Sequence, residues 1–438
     1  MATTMFQSIT FKVLGIGFLA LLMLIPLVQV QSLIAERNGM REQAIWSIAA
    51  SWGGKQQIGG PVLAVPKLVR VQTNNGWTTQ ASTEIVLADR LDIRGTLVPE
   101  TRSYGIYDAP VYTAALKLSG SFLASDITAL ASPDTTYQWD RAELRLPVSD
   151  VRGIRRIAAL RVAGNNFNFG PSEIGVGSSS AIAVALDPSK FDGEQIPFDI
   201  DVTLAGTQSL ELMPLARRTE VSLSAPWPDP SFFGAFLPAE RRVDAKTFEA
   251  HWQVLDLNRS FGQHWQQDAQ HNVDISGAAF GVALYQPVSV YQQNERAGKY
   301  GVLFVALTFV AFFLFEVLKK LRVHPVQYLL VGIALSTFYV VLLALSEQIG
   351  FALAYLAASV AVVLIIGSYA AAVLRARRAG LTLGATLALV YALLYGLIVS
   401  EQYSLMMGAL ALLAIVATLM YLTRKIDWYT AMPSPASP

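Results

Sequence analysis

The chain has 438 residues, 53% of them hydrophobic and only 15% Asp, Glu, Lys or Arg, against about 25% charged in an average soluble protein, which argues against a single soluble globule. Its 33 basic and 32 acidic residues nearly cancel, so no whole-protein field attracts nucleic acid, and nucleic-acid partners are excluded. The absence of cysteine removes disulfides, thiolate metal sites and cysteine nucleophiles together.

In chain order, nothing is charged between Lys12 and Glu36, and Val13 to Val30 is almost purely apolar despite Pro26. About 20 such residues cross a bilayer as a helix. The single basic residue before this run and the lack of a clean small-x-small site after it favour an uncleaved anchor over a signal peptide. The helix is expected to continue through about Ser51. Residues 35–298 then contain no comparable run, and five more spans follow in quick succession: Tyr300 to Leu318, Val326 to Ser346, Phe351 to Leu374, Leu381 to Val399 and Leu405 to Leu422.

Within 35–298 the apolar period is two, the mark of half-buried strands. Phe198, Ile200, Val202 and Leu204 alternate with Asp199, Asp201 and Thr203; Leu144, Leu146 and Val148 alternate with Glu143 and Arg145; Val221, Leu223 and Ala225 alternate with Glu220, Ser222 and Ser224. Asn75 and Gly76 between two apolar runs, Val62 to Val71 and Ile85 to Leu87, predict a hairpin turn. The section is expected to be mainly antiparallel β, as one or two modules. Its expected seam is Pro226 to Pro238, where four prolines oppose regular structure. A helix near Tyr291 to Lys299 leads into the second span.

Charge sets the orientation. Lys319, Lys320 and Arg322 follow the second span, Arg375, Arg377 and Arg378 the fourth, and Arg424 and Lys425 the sixth, whereas the intervening loops hold Glu347 and Glu401 and no base. The positive-inside rule then places both termini in the cytoplasm and the β section on the far side, the periplasm of a Gram-negative cell. The expected layout is residues 1–34 as cytoplasmic end and first span, 35–298 as periplasmic β domain, 299–423 as a five-helix bundle and 424–438 as a cytoplasmic tail. The β section carries 23 basic and 28 acidic residues, the remainder 10 and 4.

Catalytic signatures are missing: there is no P-loop, no HExxH and no nucleophile elbow, the nearest string being Gly175 to Ala181 with the wrong spacing. His264, Asp268 and His271 carry metal-ligand atoms, but their segment is polar throughout and reads as a solvated loop; no cofactor is expected. A charge at mid-bilayer costs about 2.5 kcal/mol or more, and no span has one there. Glu316, the deepest, lies three and four residues before Lys319 and Lys320, which predicts a local ion pair. Glu347 and Glu401 read as solvated turn residues. Gly332, Gly367, Gly384, Gly396 and Gly408 read as close-packing positions. Trp227, Phe232, Phe233 and Phe236 concentrate apolar surface in a proline-rich string, either a stiff loop packed on the β domain or a docking surface.

Several strings, Gly60 to Pro66, Asp150 to Ile154, Trp227 to Pro238, Phe248 to Trp252, Glu295 to Glu316, His324 to Gly332, Leu342 to Phe351 and Thr423 to Tyr429, together resemble the CreD family of bacterial inner-membrane proteins along nearly the whole chain. The resemblance implies an inner-membrane protein associated with cell-envelope integrity, in many relatives under a two-component regulator and linked to tolerance of colicins and β-lactams. It implies no catalytic mechanism. Relatives often have histidines where this chain has Gln348 and Asp229, which argues against a required histidine at either place; Glu316 and His324 match the family pattern. The favoured reading is a non-enzymatic envelope protein whose β domain contacts envelope partners, with the lipid bilayer as its other partner and the oligomeric state left open. The competing reading is a membrane enzyme or transporter handling lipid-linked material, with Glu316, His324, Glu347 and Glu401 as its polar elements.

Overall fold

A computed structural model describes residues 9–73, 76–130, 134–268, 273–284, 290–318, 323–373, 377–400 and 403–424. The chain divides into two compact units, Met1–Met40 with Val288–Pro438, and Arg41–Pro287.

The first unit is helical. Helices α1 (Ile9–Leu22) and α2 (Leu24–Trp52) are separated at Met23 because Pro26 has no N–H to donate to Leu22, four residues back. Helices α3 (Val290–Leu318), α4 (Pro325–Ile349), α5 (Phe351–Val373), α6 (Arg377–Val399) and α7 (Ser404–Thr423) follow. Among the described residues five helical stretches are long and apolar enough to cross a membrane, with Met406–Tyr421 as a shorter apolar one. One N-terminal and five C-terminal apolar helices around a large β-rich insertion is thus the plan of the fold, as expected.

Helices α5 and α6 meet where side chains are smallest: a Cβ on Gly380 would stand 2.4 Å from Ala371 Cβ and 2.6 Å from Gly367 O. Close backbone approach gives dispersion contact that lipid cannot replace. Gly332 leaves similar room for Met23 and Phe309, whose atoms lie within 3.0 Å of where its Cβ would be.

The second unit holds three sheets. The eight-stranded sheet runs in the order Glu240–Val243, Phe248–Leu255, Ala216–Ala225, Ala88–Tyr104, Tyr107–Leu123, Gln195–Thr207, Ile154–Val162 and Asn165–Asn166. A seven-stranded sheet is built on the hairpin Val62–Thr73 with Gly76–Val86, and a four-stranded one joins Gln56–Gly59, Ser209–Met213, Phe280–Leu284 and Pro230–Gly234. The predicted strands are all present; of the predicted hairpin turn, Asn75 lies outside the described residues. Most pairings are antiparallel, but Ala216–Ser224 lies parallel to Ala88–Thr96 and Gln56–Gly59 parallel to Leu210–Met213.

One core joins all three sheets, with Ile58, Val65, Leu116, Val202, Trp252 and Phe280 in contact within it. A smaller cluster under Val62, Ala64, Ile85 and Leu87 covers the other face of the seven-stranded sheet, so the run from Val62 to Val65 is apolar without alternation. The expected seam at Pro226 to Pro238 is absent. Pro230–Gly234 forms an edge strand against Phe280–Leu284, which proline permits because an edge strand can leave one side of its ladder unpaired. Trp227, Phe232 and Phe236 pack on the main core.

Trp252 is the largest fully buried side chain. Its truncation to Ala is expected to cost about 3–5 kcal/mol, lowering the thermal midpoint of the full-length protein in detergent by roughly 10 °C, as read by near-ultraviolet circular dichroism. An unchanged midpoint would contradict a single core.

Candidate functional site

The polar residues of the helical unit collect at two levels. At one, Glu316 of α3 is 4% exposed. Its Oε1 accepts from Lys12 Nζ of α1 and from the Val323 backbone N–H at 2.8 Å, and its Oε2 accepts from the Tyr328 hydroxyl of α4 at 2.9 Å. Tyr328 is itself held edge-on by Phe309 at 5.7 Å and Phe312 at 6.0 Å. A buried carboxylate is tolerated only when paired and hydrogen-bonded, and these three partners meet that condition. The expected local pairing fell on Lys319 and Lys320, which lie outside the described residues.

His324 sits one turn from this cluster as the N-cap of α4. Its Nδ1 accepts from the Val326 N–H at 3.3 Å, and Gln327 Oε1 accepts from the His324 N–H at 3.1 Å. With Pro325 at the first helical position, the His-Pro pair is a helix start.

At the second level Asn294 of α3, fully buried, donates through Nδ2 to Val290 O at 2.7 Å and to Ser346 Oγ of α4 at 2.8 Å. The Tyr291 hydroxyl donates to Glu347 Oε1 at 2.9 Å, and Arg37 Nε of α2 lies 3.9 Å from the same oxygen. Glu347 therefore belongs to the last turn of α4 and is held there, rather than being a solvated turn residue. Glu401 lies outside the described residues. From Tyr328 to Ser346 is 18 residues, about 27 Å of helix, close to the thickness of a bilayer core. Between the two levels the packing is aromatic: Phe338 meets Tyr391 at 4.7 Å and Tyr355 at 5.5 Å, and Phe304 meets Tyr391 at 4.4 Å.

In the β unit, His264 lies in a strand, His264–Gln267, rather than a solvated loop. Its Nδ1 is 2.8 Å from Glu84 Oε1, and Glu84 also pairs with buried Lys67. His271 lies outside the described residues, and no cluster of three metal-ligating side chains occurs among the described ones. Trp227 closes its own turn by donating to Asp229 O at 3.2 Å. Phe232 stacks edge-on to Phe248 and Trp252, and Phe236 to Phe280. Phe233 is half-buried.

Sequence reasoning missed a groove of about 780 Å³ across the open face of the eight-stranded sheet. Direct cross-strand partners align there in a row: Glu240, His251, Ser222, Arg94, Lys117 and Asp201, each from a different strand. At about 4.8 Å per strand the row is about 24 Å long. One residue pair along, Arg242, Glu249, Ser224, Thr96 and Thr203 form a second row. Ser222 Oγ lies 3.1 Å from His251 Nδ1, yet the backbone around Ser222 is committed to ladders on both sides. That leaves no free N–H pair to stabilise an oxyanion, so the pair offers recognition chemistry rather than acyl transfer. Elsewhere in the unit, buried Arg259 lies over the Phe261 ring and bonds Gly262 O and Gln263 Oε1, and burial pushes its guanidinium down to about 10.

Replacing Glu316 with Ala leaves Lys12 without its carboxylate and is expected to cost about 3–5 kcal/mol. Glu316→Gln, which keeps one acceptor oxygen for either the Val323 N–H or the Tyr328 hydroxyl, costs less, and Lys12→Met with Glu316→Met recovers part of the loss. Heat-induced loss of the monodisperse peak in detergent measures all three; an additive double variant would contradict the pair.

A family model described as inner membrane protein CreD matches residues 8–429. Inner membrane protein CreD of Escherichia coli (strain K12) is 34% identical over 413 residues, covering 93% of this chain and 91% of that protein. The matched span takes in all of the β unit and most of the helical one, and the chain belongs to the CreD family as a multi-pass protein of the inner membrane.

Proposed function

We propose that this protein supports cell-envelope integrity and tolerance of envelope-directed stress through contacts made by its β unit on the periplasmic side, rather than by catalysis. The observation that carries this reading is the two-row groove. It presents both charge signs and hydroxyls at the spacing set by the strand register of one sheet, the kind of polar surface that recognises a partner by position. The intramembrane groups support the same reading from the other side, since the Glu316 oxygens and Glu347 Oε1 already face internal partners.

The proposed topology has both termini in the cytoplasm, residues 35–298 outside, a bundle over 299–423 and a cytoplasmic tail over 424–438, on the strength of the eight basic residues that alternate with base-free loops. A reporter active only after export, fused after Pro438, is expected to stay silent; activity would reverse the orientation.

In cells lacking the protein, a copy with Arg94→Glu and Lys117→Glu is expected to accumulate in the membrane and fail to restore tolerance of a β-lactam or colicin. Copies with Glu316→Gln, His324→Ala, Glu347→Gln or Glu401→Gln are expected to restore it. Full rescue by the groove variant, with loss in the carboxylate variants at normal abundance, would move the function into the bundle and favour a carrier or enzyme of lipid-linked material.

A further inference from the structure

Within the β unit, the hairpin Val62–Thr73 with Gly76–Val86 runs on past the strands that flank it. Its base is covered: Thr135–Tyr137 pairs with Lys67 to Val69, and His264–Gln267 pairs with Thr83 to Val86. Towards the turn from Thr83, the second strand has a strand partner on one side only among the described residues. Residues 70–72 of the first strand and 76–81 of the second are exposed one after another. Consecutive strand residues point to opposite faces, so this outer half is an arm bare on both faces, with Trp77 61% exposed under the Arg70 guanidinium at 5.8 Å.

The open side of the arm lacks every usual guard. Sheets protect an exposed edge with charge, proline or a bulge. Trp77, Thr78, Thr79, Gln80 and Ala81 include no charge and no proline, and their register against the first strand is unbroken. Every second residue turns its N–H and C=O outward, which is a template for one more strand.

Length, shape and charge select a second copy of this chain as that strand. The open stretch, 76–82, has Thr79 as its midpoint. Two copies related by a two-fold axis through Thr79 therefore pair antiparallel over all of it, with Gly76 of each opposite Ser82 of the other, next to Thr83, where His264–Gln267 takes over the edge. In this register Trp77 stands opposite Ala81, large against small, and Thr78 opposite Gln80. An uncharged edge neither repels its own copy nor attracts a charged partner. Arg70, opposite Thr79 on the first strand, would lie three strand spacings, about 14 Å, from its counterpart, beyond a Debye length at physiological salt.

We propose that this arm pairs edge to edge with the same arm of a second copy in the same membrane, about a two-fold axis at Thr79. Such an interface closes on itself as a dimer. Its small area is offset by confinement, since two copies held in one bilayer meet at a raised effective concentration.

The cysteine-free sequence allows a direct test. Thr79→Cys, in the full-length protein in native membranes, is expected to give a disulfide-linked dimer on oxidation with copper phenanthroline, because directly opposed strand residues have Cα atoms about 5 Å apart. Trp77→Cys, whose two copies stand four strand steps or about 14 Å apart, is expected to give severalfold less, and to regain linkage when expressed together with Ala81→Cys. Leu257→Cys, 88% exposed in the wild type, sets the level of random collision. Linkage at position 79 no greater than at 257 overturns the proposal. So does equal linkage at 77 and 79, which is contact without register, and so does a linked product that contains another protein in place of the second copy.

Discussion

A carboxylate at the edge of hydrocarbon cannot be left unpaired, and the way this chain satisfies Glu316 organises its membrane unit. The three donors come from α1, from the α3–α4 connection and from α4. Lys12 stands 304 positions from its partner, so the bond joins the first helix to the C-terminal bundle across the whole β insertion. Closing so long a loop costs entropy that grows only with the logarithm of its length, whereas an unpaired charge there costs several kcal/mol. The second level, with Asn294, Ser346, Tyr291, Glu347 and Arg37, repeats the logic at the other end of α3 and α4. Two polar fastenings about one bilayer core apart, with an aromatic middle, fix which helices are neighbours.

The β unit meets a different constraint, since without cysteine it must hold a large sheet assembly by packing and internal polar locks. Tyr112, fully buried, donates to Ser209 O at 2.6 Å, and burial pushes its hydroxyl pKa well above the ordinary value. Gln56, also buried, donates to Asp150 O and Ala205 O. Asp150 accepts from the Gly54 and Arg152 backbone N–H groups, and its bond to the Arg152 side chain, with further help from those N–H groups, holds its carboxyl below the usual range. These bonds join the end of α2 to distant strands, the office a disulfide fills in many exported domains.

The spans and most strands were legible because their signals are local: an uncharged length sufficient for a bilayer, or alternation over a few residues. What was not legible depends on pairing between distant segments. No pattern around Lys12 announces Glu316, and none in Ala216 to Ser224 announces a parallel neighbour at Ala88. The proline-rich string looked incompatible with a strand because only the prolines were visible, not the sheet edge that accommodates Pro230. The strand at His264 was not legible because its partner strand, Gly76–Val86, lies far back in the chain, with Glu84 180 positions earlier. Of the strings that carried the family resemblance, several occupy positions with a direct structural reason: His324 and Pro325 start a helix, Gly332 makes room for Met23, and Trp252 fills the core.

The groove was invisible for the same reason, and its charge pattern bears on how a partner would find it. Along its first row Glu240 and Asp201 stand at the two ends and Arg94 and Lys117 inside, so the signs nearly cancel and little field extends beyond a Debye length. Long-range steering is therefore weak, and recognition of the kind proposed would rest on matching charges in register at contact. Such contacts gain from confinement, because holding two surfaces on one membrane raises their effective concentration without any new bond. In the function proposed above, anchoring a charge-balanced face to the bilayer by a bundle of apolar helices would give a selective contact that operates only where the partner is already close by.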